Sequence, residues 1–351
     1  MRIVQYRPIL VFVCIITFVV LLFQVKYTNY TKDQRIFIEF EKLFKKTKVP
    51  LTQHSNISLV NDVNSGFRNR PILTLFTSFK TDHAMDSEKA LVYNSTMYNW
   101  QTLRPRVQLI FFTLENSTAN KVQFIYWNIV TLSPNSKTGI PIIKDMYVQA
   151  NKLYNTSWYG YFNGDILLTE DILETLEYVS SVSDNFPNAS ILIIGRRINV
   201  LNVTSEEVRK INGVKESARS RGSLYEIDAE DYFITNRLFP WTKIPGFVIG
   251  RAGYDNWIVG HARCNFRTIV IDATETLTAV HQTTSKGGNK EGFSHSNKNY
   301  NFELIRRLKL PRNFLQGLTT CAEWRTFRTI KTGRIELVNR DDLHKNCKCK
   351  K

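Results

Sequence analysis

Cysteine is scarce in this 351-residue chain, at five residues, and acids are outnumbered, with 31 Asp and Glu against 47 Lys and Arg. So few cysteines exclude a disulfide-dense miniature scaffold. The spacing of the terminal "CKC" matches no standard zinc pattern. No internal repeat is visible, which excludes a solenoid or a propeller. The net charge of +16 favours anionic partners, but no recognisable nucleic-acid motif accompanies it. That leaves phosphorylated small molecules or a membrane surface. Low hydrophobicity is not among the absences: 43% of residues are hydrophobic, enough for a core, so disorder is excluded as the default.

Long apolar runs are also few. One stands out, "PILVFVCIITFVVLLFQV", Pro8 to Val25, with no charged residue. Its length is near the minimum for a membrane span. No small-x-small cleavage site closes it, so it reads as an uncleaved signal anchor. Sequons occur at Asn29, Asn56, Asn94, Asn116, Asn155, Asn188 and Asn202, all after the run. That one-sided placement fits a luminal body and a single-pass type II protein of the Golgi or another secretory membrane. Cys14 lies within the run, and Cys264, Cys321, Cys347 and Cys349 can form disulfides in an oxidising lumen. Cys264 with Cys321 is one expected pair; connectivity is otherwise open.

The expected plan is a short cytoplasmic tail (1–7), an anchor (8–25), a stem (26–70), a globular domain (71–320) and a basic tail (321–351). From Ile305 onward there are 13 Lys and Arg against 4 Asp and Glu, read as a solvated surface. Within the body, buried strands are predicted at 72–79, 107–113, 122–130 and 190–197, and another in "WYGYFNGDILL". Helices are predicted at 87–103, 141–154 and "TEDILETLEYVSSV", the last with Thr169 as N-cap. This alternation indicates an α/β fold with a mostly parallel sheet flanked by helices. Residues 202–233 read as charged and irregular, with the acids of 226–231 in a solvated loop.

Two stretches carry candidate chemistry. In "YFNGDILL" a carboxylate, Asp165, follows a strand and a glycine, although Asn-Gly is also a hairpin signal. In "IGRAGYDNWIVGHA", Asp255 and Asn256 precede an apolar helix, where Asp255 can act as an N-cap or as a base. A later strand ends in "TAVHQ", with His281. A carboxylate and an imidazole on separate loops can share a hard divalent ion, with a diphosphate adding oxygens.

These motifs resemble the nucleotide-sugar glycosyltransferases of the GT-A fold, over roughly residues 71 to 285 and by order of elements. They also resemble a group of glycosyltransferase-like type II membrane proteins that share IGRxGxDNW and VHQ patterns. The resemblance implies transfer of a sugar from a nucleotide-sugar donor to an acceptor hydroxyl on a glycan, glycoprotein or glycolipid. It implies Asp165 and His281 as ligands of Mn²⁺ or Mg²⁺ and Asp255 as the base of an inverting reaction. Asn163 stands where the family's acidic motif has its first Asp. Thr77, Ser78, Asn163, Arg196 (or Arg197) and Arg251 are expected on the donor side, and Asp231, Asn256 and Trp257 on the acceptor side. The alternative is a glycan- or nucleotide-binding protein of the same fold without catalysis. A glycoside hydrolase would need two facing carboxylates, and the diphosphate-style context argues against it.

Overall fold

The computed structural model describes residues 70–79, 87–114, 126–135, 137–284, 297–341 and 343–349. The apolar run at 8–25, the segment 26–69 and the sequons at Asn29, Asn56 and Asn116 lie outside the described residues. Among the described residues no helix is long and apolar enough to cross a membrane.

Strand β1 (Leu73–Thr77) is followed by α1 (Ser87–Gln101), β2 (Val107–Thr113), β3 (Asn128–Thr131) and α2 (Ile143–Leu153). Next come β4 (Trp158–Phe162), β5 (Ile166–Leu168), α3 (Asp171–Val182), β6 (Ile191–Ile194) and β7 (Ile198–Leu201). Two short helices, α4 (Ser205–Arg209) and α5 (Gly213–Arg221), lead to β8 (Ser223–Leu224) and β9 (Tyr232–Asn236). The chain continues through α6 (Asp255–Asn265), β10 (Ile269–Asp272), β11 (Ala279–Thr283), α7 (Tyr300–Arg307), β12 (Trp324–Arg328) and β13 (Ile335–Asn339).

A nine-stranded sheet has the order β13-β12-β10-β6-β9-β4-β1-β2-β3, and a four-stranded sheet the order β5-β11-β7-β8. In the large sheet five neighbour pairs are parallel, and three, β4–β9, β6–β9 and β12–β13, are antiparallel. Its inner strands are apolar on both faces, as helix-covered sheets require. Leu73 and Leu75 of β1 and Ile191 and Ile193 of β6 join one core cluster, with Trp100 of α1 and Leu176 of α3. Phe76, Leu192 and Ile194 face the other cluster, with Met146 of α2 and Trp257 of α6. Helix α2 buries Ile143, Met146, Tyr147 and Ala150, the i, i+3, i+4, i+7 stripe of a core-facing helix.

Several sequence expectations are corrected. Residues 202–233 are not irregular: they fold into α4, α5 and β8 and enter β9. Thr204 and Glu207 form a capping box that starts α4. Thr169 does not cap α3; its hydroxyl donates to Asp171 Oδ1, and Asp171 in turn accepts from the amide and hydroxyl of Thr278. Residues 324–339, read as part of a basic tail, supply the last two strands of the large sheet. The Cys264–Cys321 pairing is replaced by Cys264–Cys349 and Cys321–Cys347. Both bonds fasten residues 347–349 to the body. Arg263 of α6 adds to this by donating to Gln316 O and Cys347 O while pairing with Glu323 at 2.6 Å.

Candidate active site

Strands β4, β6 and β10 each leave the large sheet and, after a short crossing, continue as β5, β7 and β11 of the small one. The Asn163-Gly164-Asp165 turn is the first crossing. It is not a hairpin, because β5 pairs with β11 and not with β4. The second crossing begins at Gly195, where a Cβ would lie 2.0 Å from the Tyr232 hydroxyl. Only glycine lets β6 turn this close to β9.

The β5–β11 register sets His281 opposite Ile166, which carries its ring to Asp165. Asp165 Oδ2 lies 3.2 Å from His281 Nε2. The other ring nitrogen, Nδ1, is 3.0 Å from Thr283 Oγ1. The Gln282 amide donates to Asp165 O at 3.0 Å, fixing the turn to β11. Asp165 Oδ1 is buried without a partner. Burial pushes the Asp165 carboxyl up, but His281 and then Arg197 outweigh it and hold the group below its ordinary value. Asp165 is therefore anionic near neutral pH.

The β4–β9 register opposes Phe162 to Tyr232, so the residues just beyond, Asn163 and Asp231, meet. The Asn163 amide N–H donates to Asp231 O at 3.0 Å. Its side-chain Nδ2 donates to Asp231 Oδ1 at 2.7 Å, and its Oδ1 accepts from the Tyr161 hydroxyl at 2.9 Å. Arg197 Nη1 also donates to Asp231 Oδ1, at 2.6 Å. Asp231 Oδ2 is buried and unpartnered. Burial raises the Asp231 carboxyl above its ordinary value, against the pull of Arg197 and His281.

Asp255 is the first residue of α6, after Tyr254 at the cap position. The preceding Gly253 has φ +91°, and a Cβ there would sit 2.6 Å from the Phe302 ring. Burial lifts the Asp255 carboxyl to about 7; the Asn256 amide opposes this and Asp231 adds to it. A carboxyl poised near 7 suits proton removal at neutral pH. Glu230 is buried, at 2% exposure. Asn256 Nδ2 donates to its Oε2 at 3.0 Å, and the Thr319 hydroxyl to its Oε1 at 3.1 Å. Burial, then Asp255, pushes Glu230 well above the carboxylate range. Reading 226–231 as solvated thus fails at 230 and 231, while Glu226 and Asp228 are exposed. The signal for the difference is the apolar strand "YFIT" that follows directly and draws its two preceding acids inward.

The other expected site residues are placed as follows. Thr77 ends β1 fully buried, with its hydroxyl unpartnered, and Ser78 follows half-buried. Arg196 donates to Tyr225 O at 2.6 Å. Arg197 lies 4.1 Å over the Tyr225 ring. Arg251 donates to Asn297 Oδ1 at 2.7 Å. Asn256 serves Glu230, as described. Trp257 is fully buried, stacked on His261 and donating to Pro311 O; it holds α6 in place, and the expectation of acceptor contact is corrected. The sequon residues Asn94, Asn155, Asn188 and Asn202 are all exposed.

The donor set suits a hard divalent cation in part. Asp165 offers an unpartnered carboxylate oxygen and His281 an imidazole. No group of three or more His, Cys, Asp or Glu able to hold a metal occurs among the described residues. The remaining oxygens of such a site would belong to a ligand or to water.

No protein-family model matches the chain, and no curated protein matches it. Solved structures share weak likeness. The mannosyltransferase PcManGT from Pyrobaculum calidifontis, in complex with GDP-Man and Mn²⁺, matches at 10% identity and TM-score 0.36, over 62% of this chain and 59% of that one. S. aureus TarS 1–349 in complex with UDP-GlcNAc matches at 14% identity and TM-score 0.24, over 38% and 36%. The bifunctional IspDF from Campylobacter jejuni matches at 7% identity and TM-score 0.23, over 47% and 40%. Scores this far under 0.5 set no activity for this chain.

Proposed function

We propose that the chain is a membrane-anchored glycosyltransferase with a GT-A-like body, moving a sugar from a nucleotide-sugar donor to an acceptor hydroxyl. The carrying observation is one cluster of carboxylates, with Asp231 buried and Asp165 and Asp255 partly exposed. Asp165 is held anionic beside His281, Asp255 is lifted to about 7, and Asp231 is electrostatically coupled to both. Environments that push carboxyl groups apart in this way mark acid–base and ligand roles.

In this reading Asp165 and His281 would hold Mn²⁺ or Mg²⁺, which would neutralise charge on the donor diphosphate. The Asp255 carboxylate takes the proton of the acceptor hydroxyl. That oxygen bonds to the anomeric carbon, the bond from this carbon to the diphosphate oxygen breaks, and nucleoside diphosphate leaves with the electron pair. The anomeric centre inverts. Thr77, Ser78 and Arg251 line the donor side. The anchor at 8–25 and the sequons belong to the same proposal, as a single-pass type II protein with a luminal body in the Golgi or another secretory membrane.

One observation favours the alternative, a carbohydrate- or nucleotide-binding protein without transfer: Asn163 adds no charge to the donor site. Turnover separates the two. Transfer or hydrolysis of a nucleotide sugar, lost in Asp255→Asn with donor binding kept, supports the enzyme. Donor binding by the wild type without turnover on a broad acceptor panel selects the alternative.

A further inference from the structure

Asp231 has one oxygen used twice and one used by nothing. Its side chain is 9% exposed, and Oδ1 accepts from both Arg197 and Asn163. Oδ2 is buried with no partner. An unpaired buried oxygen is costly, so the arrangement calls for a donor from outside the described residues. Two features define that donor. Arg197 already balances the charge of Asp231, which weakens it as a cation ligand. The oxygen also lies beside the Asn163-Gly164-Asp165 turn. A neutral hydroxyl satisfies both.

Asn163 is what aims that oxygen. Its amide is held at both ends: Oδ1 accepts from Tyr161 and Nδ2 donates to Asp231. A polar chain thus runs from Tyr161 through Asn163 and Asp231 to Arg197.

We propose that Asn163 is a positioning residue that turns Asp231 Oδ2 into an acceptor for a carbohydrate hydroxyl, so that the site's second carboxylate comes from the start of β9 instead of the turn after β4. This rests on the glycosyltransferase reading for its ligand, but not for the Asn163–Asp231 link. It carries a counter-intuitive consequence. Asn163→Asp gives the turn two acids, yet sets a carboxylate against Asp231 with no donor between them, so it damages the site.

The experiment uses the full-length chain as wild type, N163D, D231N and N163D/D231N. Thermal unfolding is read for each, with affinity for a panel of nucleotide sugars and their bare nucleoside diphosphates, and acceptor KM. D231N is expected to weaken the nucleotide sugar about tenfold, the loss of one charge-assisted hydrogen bond, and the bare diphosphate much less. If the hydroxyl belongs to the acceptor, the same loss falls on acceptor KM and donor affinity is kept. N163D is expected to lower both the Tm and the affinity. The double variant restores a donor–acceptor pair, so it recovers Tm relative to N163D without recovering affinity. Should D231N fail to fold, R197Q/D231N removes both charges of the pair and serves in its place. The proposal is overturned if N163D keeps wild-type Tm and affinity, or if a folded D231N changes neither donor affinity nor acceptor KM. If the wild type binds no nucleotide sugar, the glycosyltransferase reading and the hydroxyl role both fail, and the Tm cycle alone judges the Asn163–Asp231 link.

Discussion

Asp165 Oδ2 and His281 Nε2 lie 3.2 Å apart, brought together by the antiparallel register of β5 and β11. Asp165 Oδ1 remains buried and open. Asp165→Ala is therefore expected to abolish transfer and the stabilisation by Mn²⁺ with a nucleoside diphosphate, while the protein still folds. His281→Ala should weaken the metal-dependent part of donor binding about ten- to a hundredfold and leave metal-free binding nearly unchanged. Calorimetric titration with and without Mn²⁺ reads both.

The raised Asp255 carboxyl predicts a pH profile. A base with a pKa of about 7 is inactive when protonated. The kcat/KM for transfer should rise with pH through about 7 and level above it. A profile flat from pH 5.5 to 8.5 would remove Asp255 as the base.

The same group predicts a stability effect of opposite convenience. Its folded pKa is raised above the unfolded value, so its contribution is favourable below pH 4 and is lost as pH rises through about 7. Asp255→Asn should be more stable than wild type at pH 8 by on the order of 1–2 kcal/mol, allowing for partial solvent screening. The difference should vanish near pH 4, where wild-type Asp255 is protonated. Urea unfolding at the two pH values measures it.

Gly195 faces the Tyr232 hydroxyl with no room for a methyl group. Gly195→Ala should cost about 2–4 kcal/mol, and Gly195→Ala with Tyr232→Phe should recover part of it. Thermal melts of the single and double variants decide this.

The two disulfides close separations of 85 and 26 residues and hold 347–349 against the body. Peptide mapping without reduction should find Cys264 with Cys349 and Cys321 with Cys347. Replacing the second pair with serine should cost about 3–4 kcal/mol, read as a lowered Tm, and reduction of the wild type, which opens both bonds, should lower the Tm further.

Elements with a local signature were legible in the sequence. The runs "LTLFT", "VQLIFFT" and "ILII" are mostly apolar and became buried strands, and the helix predicted over 141–154 became α2. Asp165 and His281, matched only by order of motifs, are in contact, and Asp255 starts a helix as its first residue rather than as its N-cap. What depends on pairing partners was not legible. Strand β9 runs antiparallel between β4 and β6, and nothing local in "YFITN" encodes its neighbours. That insertion buries Glu230 and Asp231, which acid density alone assigned to solvent. The disulfide partners likewise follow from where β12 and β13 carry the chain end, not from spacing.

The central claim is tested most directly by thermal-shift measurement of the purified protein against nucleoside diphosphates and their sugars, each with and without Mn²⁺. The account predicts a Tm increase for at least one nucleotide sugar that is larger with Mn²⁺ and that Asp165→Ala abolishes. No stabilisation of the wild type by any of these ligands, or stabilisation that Asp165→Ala retains in full, would contradict it.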